Sequence, residues 1–305
     1  MLLFPPPNMK SFFPPLISGL LGVIAAVGPV AESAVVYEGF DYPAGSLSGA
    51  NGGTGFSGPG GSAWVESDSG SNPLGVRSPG LSFGSLPVSG NTAERTSNLN
   101  RAQANRTISD SARSTLTADG TTIWFSVLWL PGASGSDERG AFMFGNSSFG
   151  DTSGDPVTSG DGFGFSPYTG VRNTTIHANA WVVGDASTNP AASDDSGLAH
   201  TSATYLLVGK INWNASGTAD EFFLFNVTDP AAPEPGEGSA IASITDQDFD
   251  QSDWNTISIY ENHAGEWDEI RFATTYAEAL GVPEPSRFHL IAVGGALLCL
   301  HSRRR

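Results

Sequence analysis

Apolar positions along this chain recur at every second residue more often than at every third or fourth. The firmest run is Thr121 to Leu130. There Ile123, Phe125, Val127 and Trp129 alternate with Trp124, Ser126, Leu128 and Leu130. Apolar residues on both faces predict a strand in the middle of a sheet, covered on both sides. Tyr205 to Trp213 and Glu221 to Val227 predict an adjacent pair joined by a loop containing Asn214-Ala215-Ser216-Gly217. Further strands are predicted at Val35 to Phe40, Ala63 to Glu66, Leu81 to Phe83 and Ala141 to Gly145, while Ala102 to Ser109 reads as strand or irregular. Gly162 to Ser166, Thr174 to Val183, Thr256 to Tyr260 and Trp267 to Ala273 complete the set. Between Asp41 and Gly61 eight glycines and two prolines predict a long loop. A helical period appears only near Thr274 to Leu280, enough for a turn or two. Short strands and dense turn residues predict an all-β fold, an antiparallel two-sheet sandwich over residues 35–281. Its core is expected to hold Ile123, Phe125, Val127, Leu207, Ile211, Phe223, Phe225, Ile257, Ile259 and Ile270.

A body of this size buries enough apolar surface to fold without covalent staples. It has none to use, because the single cysteine is Cys299, beyond the sandwich. Residues 35–281 carry nine Lys and Arg against 29 Asp and Glu, a net charge of −20. That balance repels nucleic acid and anionic lipid, and it favours solubility and divalent cations.

The two ends are built differently. Near the start, Lys10 precedes an apolar stretch from Leu16 to Val27, and small residues follow. That layout predicts a secretory signal peptide over residues 1–34. Cleavage after Ser33 places Ala31 and Ser33 at the small-residue positions, and a Met-Lys opening at Met9 competes with Met1 as the start. At the other end, Val282-Pro283-Glu284-Pro285-Ser286 is followed by Arg287 and an apolar run from Phe288 to Leu300, broken only by His289. The chain closes on Arg303-Arg304-Arg305. Pro283 and Pro285 hold the segment extended and open to a protease. Thirteen residues rise about 20 Å as a helix, short of a hydrocarbon core of about 30 Å. The three arginines are expected to stay on the cytoplasmic side.

This order of features over residues 282–305 resembles the PEP-CTERM sorting signal. The resemblance implies a short transmembrane segment, transient membrane anchoring, and cutting by exosortase near Val282, Pro283, Glu284, Pro285 and Ser286. The implied partners are exosortase and the secretion machinery, with the membrane as a partner before processing. Exopolysaccharide is a candidate partner afterwards.

A second resemblance covers most of residues 35–280. Val36-Tyr37-Glu38-Gly39-Phe40-Asp41-Tyr42 and the Gly-rich loop after it look like the opening of concanavalin A-like jelly rolls from bacterial surface proteins. Leu206 to Ile211 with Glu221 to Phe225 is similar to their central hairpin. Asp268-Glu269-Ile270-Arg271-Phe272 looks like their closing strand, and Ala273 to Leu280 like the segment that follows. Such folds host lectins, glycan hydrolases and adhesive modules, so the resemblance leaves function open.

The candidate chemistry is thin. Jelly-roll glucanases share a Glu-x-Asp-x-x-Glu strand, and this chain offers Glu266-Trp267-Asp268-Glu269-Ile270-Arg271. Arg271 stands where the second glutamate belongs, so the stretch is expected to be an ordinary strand with Arg271 pairing a neighbouring carboxylate. Gly80-Leu81-Ser82-Phe83-Gly84 matches the Gly-x-Ser-x-Gly pattern, yet Ser85-Leu86-Pro87 after it suits no helix, as a nucleophile elbow requires. Asp246, Asp248 and Asp250 echo the start of an EF-hand, but Gln251 and Ile257 replace its glycine and its glutamate. Calcium is the one metal that remains a candidate, there or among Asp151, Asp155 and Asp161, and a solvated acidic loop is the favoured alternative. His177, His200 and His263 form no ligand pair for a transition metal. Seven tryptophans invite a sugar-stacking platform, though each alone reads as core. Asn-x-Ser/Thr triplets at Asn105, Asn146, Asn173, Asn214 and Asn226 mark exposed loops at most. The leading expectation is an exported surface or matrix protein, structural or adhesive, with no catalytic or metal-binding residue. A lectin-like glycan-binding module and a jelly-roll glycoside hydrolase are the alternatives.

Overall fold

A computed structural model describes residues 34–66, 73–95, 102–132, 138–152, 155–158, 160–182 and 190–282. The expected signal peptide up to residue 33, the sorting residues Pro283, Glu284, Pro285 and Ser286, the apolar run with its expected transmembrane segment, and Arg303, Arg304 and Arg305 lie outside the described residues. No helix among the described residues is long and apolar enough to cross a membrane.

The strands in chain order are β1 (Val36–Glu38), β2 (Gly45–Ser46), β3 (Val65–Glu66), β4 (Gly75–Arg77), β5 (Thr92–Glu94) and β6 (Ala102–Thr107). Then come β7 (Thr122–Leu130), β8 (Ala141–Gly145), β9 (Phe149–Thr152), β10 (Asp155–Thr158), β11 (Gly162–Tyr168) and β12 (Arg172–Trp181). The last are β13 (Ala192–Ala199), β14 (Tyr205–Asn212), β15 (Asp220–Asn226), β16 (Ala242–Gln247), β17 (Thr256–Glu261) and β18 (Glu266–Ala273). One sheet has nine strands, in the order β16-β15-β14-β7-β18-β5-β4-β2, with β1 also paired to β18. The other has seven, in the order β13-β12-β11-β8-β17-β6-β3, and β9 and β10 form a separate hairpin. All pairings are antiparallel. The protein is therefore the all-β, two-sheet sandwich that the alternation predicts.

Strand β7 lies between β14 and β18, in the middle of its sheet. Its Ile123, Phe125, Val127 and Trp129 face the core between the sheets, and Trp124 and Leu128 join a second apolar layer on the outer side. All ten residues expected in the core are buried. Phe223 and Phe225 belong to the outer layer, which is roofed by Leu81, Leu86 and the helix α2 (Tyr276–Ala279). Thr275 and Glu278 cap that helix reciprocally. Gly281, at φ 63°, closes it: the Val282 N–H bonds Ala277 O at 2.9 Å and the Gly281 N–H bonds Glu278 O at 2.9 Å.

Three expectations are corrected. Leu81 to Phe83 is no strand but part of the loop laid over the nine-stranded sheet, its leucine used as a lid. The helix α1 (Asp110–Leu116) falls where none was expected. Seven residues with only Ala112 and Leu116 buried are too few to show a period, although Ser109 caps it. Three Asn-x-Ser/Thr asparagines, Asn105, Asn173 and Asn226, sit within strands, not loops.

The Gly-rich loop after β1 is tied down by a buried ion pair. Glu38 and Arg106 are both buried and in direct contact. Glu38 also accepts from Trp64 Nε1 (2.9 Å), Tyr42 OH (2.7 Å) and the Phe40 N–H (2.8 Å). Arg106 donates to Tyr42 OH (2.9 Å), Asn51 Oδ1 (2.8 Å), Gly52 O (2.8 Å) and Ser62 O (2.9 Å). These bonds compensate the desolvation of both charges. They also fasten the segment 41–61, whose apolar anchors in the core are Leu47 and Phe56.

Candidate functional site

Strand β18 carries the stretch with the glucanase-like spacing. Trp267, Ile270 and Phe272 face the main core, so Glu266, Asp268 and Arg271 face outward from the nine-stranded sheet. The pairing with β7 slips between Asp268 and Arg271, a bulge centred on Glu269 at φ 52°. A left-handed glutamate is costly and needs fixing. The Glu269 N–H bonds Asp268 Oδ1 at 2.8 Å, and the Glu269 carboxylate is held by the Ser89 N–H (2.6 Å), Tyr37 OH (3.2 Å) and an ion pair with Arg271. Arg271 therefore pairs a neighbouring carboxylate, as expected. The bulge also divides the strand's far edge, with β5 pairing Glu266 and Trp267 and β1 pairing Ile270 to Phe272.

Asp268 is fully buried beneath the loop and accepts the Leu81 N–H at 2.8 Å. Burial, with Glu269 close by, pushes its pKa up to about 8, against the pull of its two backbone N–H bonds. Glu266 lies opposite Glu94 across the β18–β5 pairing, with Arg77 reaching both at 3.6 and 2.8 Å. These carboxylates hold a loop and a sheet edge, and no second glutamate at glucanase spacing joins them. Gly80 to Gly84 is loop, parted from β4 by Ser78 and Pro79, and no helix follows it before β5.

Asp248 and Asp250 are engaged by backbone N–H groups. Asp248 accepts the Gly217 N–H at 2.9 Å, Asp250 caps a short 3-10 turn through the Ser252 N–H, and Asp246 is exposed on β16. Asp151 and Asp155 fall in the β9–β10 hairpin. Among the described residues no three His, Cys, Asp or Glu side chains are grouped to hold a metal ion. All seven tryptophans are at most 2% exposed, so none offers an open stacking platform.

The feature that sequence reading missed is the outer face of the seven-stranded sheet. Because Ala104, Ile257, Phe142, Phe163 and Ala178 point inward, their neighbours point out. The register sets Asn105, Ser258, Met143, Gly164, Asn179 and Ser193 side by side across six strands. Along one flank of this band run Gln103, Tyr260, Ala141, Ser166 and His177, and on the other lies Trp181. Asn179 accepts from Ser193 Oγ at 2.8 Å and donates to Tyr168 O. Burial lowers the His177 pKa, with Asp195 and Asp194 opposing, so the ring favours its neutral form. Phe149 of the hairpin packs edge-on against Trp181 (5.5 Å) and Tyr260 (6.2 Å). Ser258 Oγ and Trp181 Nε1 are buried there and find no hydrogen-bond partner among the described residues. The isolated polar residues between Ile257 and Ile259, and between Ala178 and Ala180, were the signal.

Two shallow cavities of about 190 and 270 Å³ adjoin one another on the opposite side, where α2 meets Pro230, Pro233 and Pro235. Val282 lines the first, so the one described residue of the expected sorting motif sits at the rim of a proline-lined groove.

No protein-family model matches the chain, and no curated protein matches it. Solved structures that it resembles include a glycoside hydrolase family protein from Mycobacterium thermorestibile: 12% identity, 78% of this chain, 99% of that one, TM-score 0.39. Alginate lyase vAL-1 from Chlorella virus is similar at 9% identity, over 66% of this chain and 90% of that one, TM-score 0.37. The CBM2 module of the evolved Dit of Lactobacillus casei BL23 phage J-1 is similar at 12% identity, over 64% and 80%, TM-score 0.33.

Proposed function

We propose that this chain is an exported, non-catalytic surface or matrix protein whose sandwich serves as a structural or adhesive module. The observation that carries the reading is the engagement of the β18 carboxylates: Asp268 by two backbone N–H groups, Glu269 by Arg271, and Glu266 beside Arg77. Carboxyl groups buried or paired in this way lack the open cleft across which the carboxyl pair of a retaining glycosidase stands about 5 Å apart. In this reading the signal peptide directs export through the secretion machinery. The tail from Val282 holds the protein at the membrane until exosortase cuts near Pro283 to Ser286, leaving it at the cell surface or in the matrix. The test is to fractionate the native host and weigh the surface form. Retention of Arg303 to Arg305 would defeat the cutting step, and an intracellular location would defeat the whole reading.

A second reading is glycan binding by the outer face of the seven-stranded sheet. It is favoured by the band of amide and hydroxyl side chains on that face, Asn105, Ser258, Asn179 and Ser193, and by Ser258 Oγ and Trp181 Nε1, which find no hydrogen-bond partner among the described residues. Sugar hydroxyls would satisfy such groups. A glycan array that includes the host's exopolysaccharide tests it, with binding lost in Asn179→Ala.

A further inference from the structure

Glu138 and Glu261 are both fully buried, and their side chains are hydrogen-bonded to each other. Burial and the contact with Glu138 both favour the protonated form of the Glu261 carboxyl. Each of the two side chains also anchors the backbone of a different segment. Glu138 precedes β8, and its Oε1 accepts the N–H groups of Arg139 (2.8 Å) and Gly140 (2.7 Å). Glu261 ends β17, and its Oε1 accepts the His263 N–H at 3.2 Å. The turn into β18 closes over it so tightly that a Cβ on Gly265 would stand 2.2 Å from Glu261 Oε2. Trp129 Nε1 approaches that same oxygen at 3.4 Å.

Charged and titratable groups surround the pair. Arg95, following β5, donates from Nη1 to Glu261 O at 3.1 Å and from its N–H to Gly265 O at 3.0 Å. Arg139 adjoins Glu138, and His263 lies in the turn. Glu94 of β5 and Glu266 of β18 flank the site with Arg77 between them.

We propose that the Glu138–Glu261 pair is a proton latch: it joins the segment entering β8 to the β17–β18 turn, and it opens when rising pH ionises Glu261. The sign follows from the chemistry. Burial and the neighbouring Glu138 both raise the Glu261 pKa. The latch is therefore closed at acid pH and weakens as pH climbs through that raised value. Its release frees the N–H groups of Gly140 and His263, which the two carboxyl groups hold.

Amide exchange on the full chain in detergent, corrected for intrinsic rates, tests this between pH 5 and pH 9. Protection at Gly140 and His263 is expected to fall at least tenfold relative to the amides of β11. In Glu261→Gln, whose amide keeps a hydrogen bond to Glu138 but cannot ionise, the change should stay within about twofold. An unchanged wild type, or an equal loss in Glu261→Gln, overturns the latch. If that variant does not fold, the carbon-13 titration of the Glu261 carboxyl in the wild type decides. A midpoint at or below that of a free glutamate overturns the proposal, and one raised above it upholds it.

Discussion

Arg106→Met is the substitution on which the account of the N-terminal third depends most. Methionine keeps the length and apolar stem but removes contacts to Glu38, Tyr42, Asn51, Gly52 and Ser62. It also removes a guanidinium seated 3.7 Å over the Phe56 ring. Leaving one member of a buried pair without the other costs about 3–5 kcal/mol. Glu38 would keep Trp64, Tyr42 and the Phe40 N–H as donors, which places the loss toward the lower end, about 3 kcal/mol. With a urea slope of about 3 kcal/mol per molar, the unfolding midpoint should drop by about 1 M. Residues 41–61 should become the first site of proteolytic nicking, since Arg106 bonds them at Asn51 and Gly52. The double variant Glu38→Gln/Arg106→Met should be less damaged than the two single losses added together, because no buried charge is left alone. A midpoint shift under about 0.3 M in Arg106→Met, or strict additivity in the cycle, would refute the claim that this pair organises the loop.

Other consequences can be checked directly. The pKa of Asp268 is raised to about 8, and those of Asp220, Glu261, Glu266 and Glu269 are raised as well, with burial the first cause in each. In the unfolded chain these groups lose their protons near pH 4, so the folded state holds more protons above that pH. Stability should fall as pH rises from about 4 to 8, with Asp268 alone contributing on the order of 5 kcal/mol. Calorimetric melts at pH 5, 7 and 9 check it, and a Tm that holds level or rises contradicts it. Incubation with β-glucans, galactans and the host's exopolysaccharide, with and without calcium, should release no reducing ends. Oligosaccharide release that vanishes in Glu266→Gln would make Glu266 catalytic. The intact mass of the native surface form should match a start near Ala34 or Val35 and an end between Pro283 and Ser286.

The fold was legible where burial is two-sided. β7, β14 and β15 declare themselves because core and outer layer both demand apolar residues, and their pairing follows from the short connection. Strands with only one demand are quiet. β13 reads Ala-Ser-Asp-Asp-Ser-Gly-Leu-Ala and is largely exposed at the edge of its sheet, so no alternation of apolar residues marks it. β4 and β5, three residues each, are too short to carry a period. Leu81 misled for a related reason: a loop roofing a sheet buries leucine as a strand does. The polar band was hidden because its residues come from six strands spread between Asn105 and Ser258, and only the register assembles them.

The closing strand shows why spacing alone misdirects. Glu266, Asp268 and Arg271 share an outward face only because the backbone slips at Glu269, and that slip has a structural use. Ahead of it the strand's edge pairs with β5, and beyond it the same edge pairs with β1. One strand thus fastens two segments far apart in sequence, with Asp268 holding Leu81 and Glu269 holding Ser89 at the break. A bulge at this place requires a residue in a left-handed conformation together with groups that hold its amide and side chain. Asp-Glu followed by an arginine supplies all of these: Asp268 takes the Glu269 N–H, and Arg271 takes the Glu269 carboxylate. The carboxylates that look catalytic in one dimension are, in three, the clasp that joins the first and last strands of the sandwich.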